Sequence, residues 1–144
     1  MLFFEIFENE RALAQFLSDQ SQFEGKTSLI MADNREVLDK ILGKGKEWYR
    51  INYRGPKRNL TRYLSTLKIE CLRDYYLHIN LPQNDTLQDL QSVVLEICEN
   101  KNCMKNAPAL RCTNDPTLGD DEVEVTIVVP VFDLGWQLDQ MWQK

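Results

Sequence analysis

The stretch "DEVEVTIVVPVF", residues 121–132, most constrains what this chain can fold into, because apolar β-branched residues recur at every second position. A period of two indicates a β-strand that buries one face. Pro130 has no N–H to donate to a neighbouring strand, so we expect it near the strand end or at an edge. The predicted core face consists of Val123, Val125, Ile127, Val129 and Val131. The chain must therefore build a sheet around this segment.

Four other segments also predict strands, and two of them alternate clearly. In "EWYRINYR" (47–54) the core face holds Tyr49, Ile51 and Tyr53, and Trp48 points the other way together with Arg50 and Arg54. The segment "DYYLHINL" (74–81) repeats this pattern with Tyr75, Leu77, Ile79 and Leu81 inward. The remaining two are "LFFEIF" (2–7) and "TSLIMA" (27–32).

Helical spacing separates these strands. Asn9 is a predicted cap for the helix "ERALAQFL", and Asp33 is one for the helix in "DNREVLDKILGKG", which Gly43 ends. Pro56 opens a helix that turns Leu60, Leu64 and Leu67 inward. The other two helical segments are "LQDLQSVVLEICEN" (87–100) and the C-terminal "LGWQLDQMWQK", and residues 100–121 are a predicted loop region with one short strand at "ALRCT".

This irregular alternation of strands and helices predicts an α+β fold. We expect a mixed or mainly antiparallel sheet with helices packed largely on one face. The 144 residues fit one globular domain, 1–144, and no repeat or linker divides them.

No apolar run approaches the roughly 20 residues that span a bilayer, so we expect no membrane association. The apolar start "MLFFEIF" contains Glu5 and lacks a preceding basic residue, unlike a secretory signal. We therefore expect a protein that begins at Met1 and resides in the cytoplasm, of its own cell or of a host cell.

The four cysteines are Cys71, Cys98, Cys103 and Cys112. In a reducing compartment they are expected to be free thiols. A zinc site from Cys98, Cys103, Cys112 and the single histidine, His78, is one alternative, and a Cys103–Cys112 or Cys98–Cys112 disulfide in an oxidising compartment is another. Structural zinc ligands usually come in pairs two to four residues apart, which this spacing does not match, so we expect neither a metal site nor a cofactor.

Catalytic patterns are weak. Nucleophilic catalysis usually needs a positioned base, and His78 is expected to be a solvent-facing or hydrogen-bonded side chain. The acidic residues of segment 115–124 could hold a hard cation or cover a basic enzyme, but they lack the ligand order of a calcium loop. The sequence favours a non-catalytic role over an enzyme.

The sharpest functional signal is a basic segment in an acidic chain. Residues 40–68 hold nine basic residues and one acidic residue, a net charge of +8, whereas the whole chain carries −5. The predicted strand, turn and helix start place five of these basic residues together with one tryptophan on one basic surface, whose six members are Trp48, Arg50, Arg54, Lys57, Arg58 and Arg62.

Two functions and one inert alternative fit this basic surface. Arginines and an exposed tryptophan suit the phosphates and unpaired bases of a nucleic acid. The same charges suit an acidic patch on a protein, including a second copy. Alternatively, the cations pair with carboxylates of their own chain and do little. The rest of the chain carries a net charge of −13, which would repel a long polyanion, so the protein partner is favoured.

The C-terminal tryptophans favour the same interpretation. Trp136 and Trp142 are six residues apart, so a helix cannot place both on one stripe, and at least one is an expected interface anchor. Both could instead cover the sheet edge. The leading hypothesis is a protein-interaction module, acting as an adaptor, inhibitor or assembly subunit, with nucleic-acid binding as the alternative.

Overall fold

A computed structural model describes residues 2–43, 47–67, 74–100 and 108–131. Within these ranges the chain forms six strands: β1 (Leu2–Phe7), β2 (Thr27–Met31), β3 (Glu47–Pro56), β4 (Tyr76–Pro82), β5 (Ala109–Asp115) and β6 (Glu122–Val131). It also forms four α-helices: α1 (Glu10–Ser18), α2 (Asn34–Ile41), α3 (Leu60–Thr66) and α4 (Leu87–Asn100). Short 3-10 helices occur at Gln20–Phe23 and Lys57–Asn59.

The six strands form one mixed sheet in the order β1-β3-β6-β4-β5-β2. Only β4 and β5 pair in parallel, with α4 between them in the chain, and the other described pairs are antiparallel. β6 occupies a central position, between β3 and β4. The α+β class and the mixed, mainly antiparallel sheet are confirmed.

One face of the sheet is apolar along its length. Helices α3 and α4 pack on it through Leu60, Leu64, Leu90 and Ile97. The predicted inward residues of the segments that form β3, β4 and β6 lie in this core, except Val131, whose side chain lies outside the described residues: Tyr49, Ile51, Tyr53, Tyr75, Leu77, Ile79, Leu81, Val123, Val125, Ile127 and Val129.

The opposite face carries the other two helices. Helices α1 and α2 bury Leu13, Leu17, Val37 and Ile41 against Trp48 and its neighbours at one end of this face. The prediction that helices lie largely on one face is therefore corrected, since two helices pack on each. The reason is that Trp48, Tyr76 and Val128 form an apolar area on a face that otherwise alternates polar.

Local signals begin α1 and α2 as predicted, whereas Pro56 ends β3 and α3 begins at Leu60. The Asn9 side chain accepts from Ala12 N at 2.8 Å, and that of Asp33 accepts from Glu36 N at 2.8 Å.

Pro130 is the second-last residue of β6, near the strand end as predicted. The predicted C-terminal helix lies outside the described residues. No helix in the described ranges combines the length and the apolar character needed to cross a lipid bilayer.

Candidate interaction surface

Trp48 does not lie on the surface. Its side chain is 0% exposed, and its indole Nε1 donates to the carbonyl of Ile41 at 3.0 Å. The prediction that Trp48 offers an exposed stacking face is wrong, because α1 and α2 cover that end of the sheet. The expected stacking surface for an unpaired base is therefore absent at this position.

The two arginines of β3 are in contact with carboxylates of the same chain. Arg50 lies 3.4 Å from Glu5 and over the ring of Phe16. Arg54 lies 3.9 Å from Asp115 and 3.8 Å from Glu124. The outer face of β3 therefore carries compensated charge.

The remaining basic residues follow β3. Lys57 pairs with Asp85, and Arg58 pairs with Asp121. Arg62 is exposed on α3. The predicted site residues Trp136 and Trp142 lie outside the described residues. Four of the six predicted members of the basic surface are thus ion-paired within the molecule, which corresponds to the inert alternative raised by the sequence.

These ion pairs also engage three of the acidic residues in segment 115–124, namely Asp115, Asp121 and Glu124. Asp115 is buried and bonds the backbone N and hydroxyl of Thr117. Burial alone would raise the pKa of Asp115, but the Thr117 bonds and the cations Lys26 and Arg54 outweigh burial and lower it. Asp115 is a structural carboxylate.

His78 belongs to a buried chain of hydrogen bonds. Its Nε2 lies 3.1 Å from the Thr113 hydroxyl, which donates to Asn80 Oδ1. Asn80 in turn donates to Glu124 Oε1 at 2.8 Å. Burial, together with Lys26 and Arg111, lowers the pKa of His78 to about 3, so the imidazole is neutral at ordinary pH.

This chain of polar groups has no accessible nucleophile. Thr113, the hydroxyl beside His78, is fully buried, and the Phe23 ring lies 5.3 Å from the imidazole. The arrangement fits a structural network. Of the two predictions for His78, solvent-facing or hydrogen-bonded, the structure shows the second.

The zinc alternative is not assembled by the described residues. Cys98 and Cys112 are buried free thiols in the core under α3 and α4, whereas His78 points to the opposite face of the sheet. Burial raises the pKa of Cys112 to about 12, which leaves it a protonated thiol. Cys71 and Cys103 lie outside the described residues. Among residues 2–43, 47–67, 74–100 and 108–131 no group of three potential metal ligands occurs.

A different surface emerges at the β2 edge of the sheet. β2 pairs with β5 on one side only, and within the described ranges no strand pairs with its outer side. None of its five residues is charged, and Ile30 and Met31 are 36% and 40% exposed. Since neighbouring residues of a strand point to opposite faces, apolar side chains border this open edge above and below.

A lysine anchors the beginning of β2. Gly25 lies in the turn after the 3-10 helix and takes a positive φ of +74°. The next residue, Lys26, donates to Gln22 O at 2.8 Å and lies 3.7 Å from Asp115. The strand therefore starts from a position that is tied to the end of β5.

A buried arginine anchors the end of β2. Arg111 of β5 is 3% exposed, and its guanidinium donates to Ala32 O at 2.9 Å and to Leu17 O at 3.1 Å. It also bonds Asn34, the first residue of α2. One side chain thus joins the ends of α1 and β2 to the start of α2, and with Lys26 it gives the edge strand a polar contact near each end.

The sequence contained signals for this edge. "TSLIM" is a strand pattern that contains no charged residue and no proline. Charged residues and proline commonly protect edge strands from further pairing, so this segment lacks that protection. Arg111 is a charged residue inside the short predicted strand "ALRCT", a position that calls for a buried and satisfied side chain. Strand order, which makes β2 an edge, has no local signal.

Comparison with known proteins gives a fold likeness only. No protein-family model matches the chain, and no curated protein does. A solved structure titled "FtsZ dimer, empty (M. jannaschii)" is similar, with a TM-score of 0.53 and 19% sequence identity over 71% of this chain. The likeness covers 32% of that FtsZ chain, so this chain spans about a third of its length. Identity this low relates the folds alone.

Proposed function

We propose that this chain is a non-catalytic protein-interaction module that binds an extended segment of a protein partner along the outer edge of β2. The observation that carries the proposal is the uncharged edge strand, bordered by exposed Ile30 and Met31 and unpaired on its outer side within the described ranges. Such an edge presents backbone N–H and C=O groups that a further strand can bond. Main-chain bonds give affinity, and alternate side chains give specificity.

The anchoring of β2 supports this role. Lys26 and Arg111 fix its two ends before any partner arrives. A strand that is already ordered loses little conformational entropy on binding, which strengthens the complex. The edge is therefore prepared for pairing by residues that do not themselves face the partner.

Two features restrict which segments fit. β2 has only five residues, and its register with β5 shifts between Ser28 and Ile30. Short length and bulges are both means by which proteins limit indiscriminate edge pairing. We expect a partner segment of about five residues that tolerates a bend, rather than a long flat strand.

The basic surface is a weaker basis for function than the sequence suggested. Trp48 is buried, and Arg50, Arg54, Lys57 and Arg58 have carboxylates beside them. These contacts favour the protein partner over the nucleic acid. The matched FtsZ structure is titled a dimer, which makes a second copy one occupant to test.

A selection experiment with a matched control tests the proposal. Random 12-residue peptides displayed on phage are selected against the wild-type protein, and the affinities of the recovered peptides are measured by fluorescence anisotropy. Ile30→Lys places a charge on the β2 edge and is expected to weaken binding at least tenfold, about 1.4 kcal/mol. Ile6→Lys is the control, since Ile6 is 41% exposed on the opposite edge strand, β1.

Peptides that bind both lysine variants as tightly as the wild type would refute the β2 surface. Recovery of no binding peptide would refute it as well. Circular dichroism of both variants confirms that folding is unchanged.

A further inference from the structure

The edge strand is uncharged, but the chain around it is acidic. Residues 8–39, which contain β2, hold seven acidic and three basic residues, a net charge of −4 out of −5 for the whole chain. All seven carboxylate residues are exposed: Glu8, Glu10, Asp19, Glu24, Asp33, Glu36 and Asp39. The segment that contains β2 is therefore acidic.

Three of these carboxylates lie close to the ends of β2. Glu24 precedes the strand by three residues, and Asp33 and Glu36 follow it by two and five. Asp33 accepts from Glu36 N at 2.8 Å as the cap of α2. Both ends of the edge strand thus have exposed acids nearby.

The nearest lysine does not cancel this charge for an incoming partner. The side chain of Lys26 is 16% exposed, and its amine lies against Gln22 O and Asp115. Its positive charge is directed into the sheet, where it neutralises a buried carboxylate. The one exposed cation beside the edge is Arg35, between Asp33 and Glu36, among the residues from Glu24 to Glu36.

We infer that the partner of the β2 edge is an extended segment with an uncharged, β-prone centre and lysine or arginine at both ends. This inference rests on the proposed function and names the chemistry of its partner. Basic ends complement the flanking carboxylates, which speeds association and selects against acidic segments. The attraction acts between exposed groups and is screened by salt.

A second copy of this chain is a poor occupant for the same reason. Parallel pairing of two β2 strands would bring Glu24 near Glu24 and Asp33 near Asp33. Antiparallel pairing would bring Glu24 of one copy near Asp33 of the other. Both arrangements place like charges together, which lowers affinity.

Three synthetic peptides test the charge requirement. They share the centre Thr-Val-Thr-Val-Thr and carry two lysines, two serines or two glutamates at each end. Binding is measured by fluorescence anisotropy at low and at high salt. The lysine peptide is expected to bind about five- to tenfold more tightly than the serine peptide at low salt, and the glutamate peptide more weakly still. High salt is expected to reduce these differences.

Variants of the protein locate the effect. The triple variant Glu24→Gln, Asp33→Asn and Glu36→Gln removes the three nearby charges and keeps an amide cap on α2, because asparagine caps helices as well as aspartate. It is expected to erase most of the preference for the lysine peptide. The control Glu8→Gln, Glu10→Gln and Glu99→Gln removes three exposed charges elsewhere and is expected to retain it.

The possible failures are distinguishable. Equal binding of all three peptides, still weakened by Ile30→Lys, overturns the basic partner and leaves the edge interaction standing. No binding by any peptide, or binding that Ile30→Lys does not change, overturns both. A dimer in sedimentation that Ile30→Lys dissociates shows that a second copy is the occupant, and overturns the basic partner.

Discussion

The two edges of the sheet differ in how they meet solvent. β1 pairs with β3 through six consecutive residues in unbroken register, and Glu5 lies in mid-strand beside Arg50. β2 pairs with β5 through a bulged register and holds no charge, but a cation anchors each of its ends. The β1 edge therefore has a charged residue within the strand, whereas the charged residues of the β2 edge lie beyond the ends of the strand.

The difference shows how an edge strand can leave its backbone available for pairing and still limit which segments pair with it. A charge within a strand discourages any further strand from pairing there. On the proposed function, a short, bent, uncharged strand is expected to admit only a partner that fits its length and the charges at its ends. The two edges therefore differ in what we expect them to bind, although each carries an exposed isoleucine.

The largest expected effect comes from removing the anchor of β2. Arg111→Met leaves the carbonyls of Ala32 and Leu17 without their donor, and unpaired buried acceptors cost free energy. We expect the free energy of unfolding to fall by about 2–4 kcal/mol in urea denaturation. Amide hydrogen exchange is expected to accelerate in β2 and much less in β1.

Arg35→Met is the control, because Arg35 is exposed on α2 and its loss is expected to change stability by no more than about 0.5 kcal/mol. If Arg111→Met cost under about 1 kcal/mol, or loosened both edges equally, the anchoring role would be wrong.

A smaller effect is expected from acid. The pKa of His78 is about 3 in the fold because of burial, against about 6.5 in the unfolded chain. Between these values the unfolded chain binds a proton that the folded chain does not, so stability falls as pH drops. Between pH 7 and pH 5 we expect a loss on the order of 2 kcal/mol in urea denaturation.

His78→Asn removes the titrating group and is expected to flatten this dependence on pH. His78 lies beside Phe23, which leads into β2, so hydrogen exchange near pH 5 should increase on the β2 side first. An equal slope for both proteins would contradict the assignment.

The smallest effect is expected at β1. Glu5→Gln removes the charge from mid-strand and breaks a partly exposed ion pair with Arg50, which is expected to lower stability by about 0.5 kcal/mol. If the charge is what prevents pairing, sedimentation at rising concentration should reveal more self-association than in the wild type. A variant that stays as monodisperse as the wild type would show that β1 is protected in another way.

Much of the fold could be predicted because local patterns and burial agree. Alternation in 47–54 and 74–81 predicts which residues face the core, and Asn9 and Asp33 predict helix starts that the structure contains. The distribution of helices over both faces could not be predicted, since it depends on how Trp48, Tyr76 and Val128 meet in space.

The candidate site was harder to predict for a related reason. Counting charges identifies the basic segment, but only the sheet register shows that Arg54 lies opposite Glu124 and close to Asp115. Likewise, the sequence predicts that "TSLIM" is a strand, but only the strand order shows that its backbone lies at the edge of the sheet. Short-range patterns specify elements; long-range pairing specifies which charges remain available.

The sheet order also affects how the molecule is made. β2 is bonded to β5, which is translated more than 80 residues after it, and the central strand β6 follows later still. At about 5–20 residues per second a ribosome needs roughly 4–17 seconds to cover that distance. During this interval the nascent β2 lacks its pairing partner, so a chaperone that shields apolar strands is expected to raise the yield of native protein.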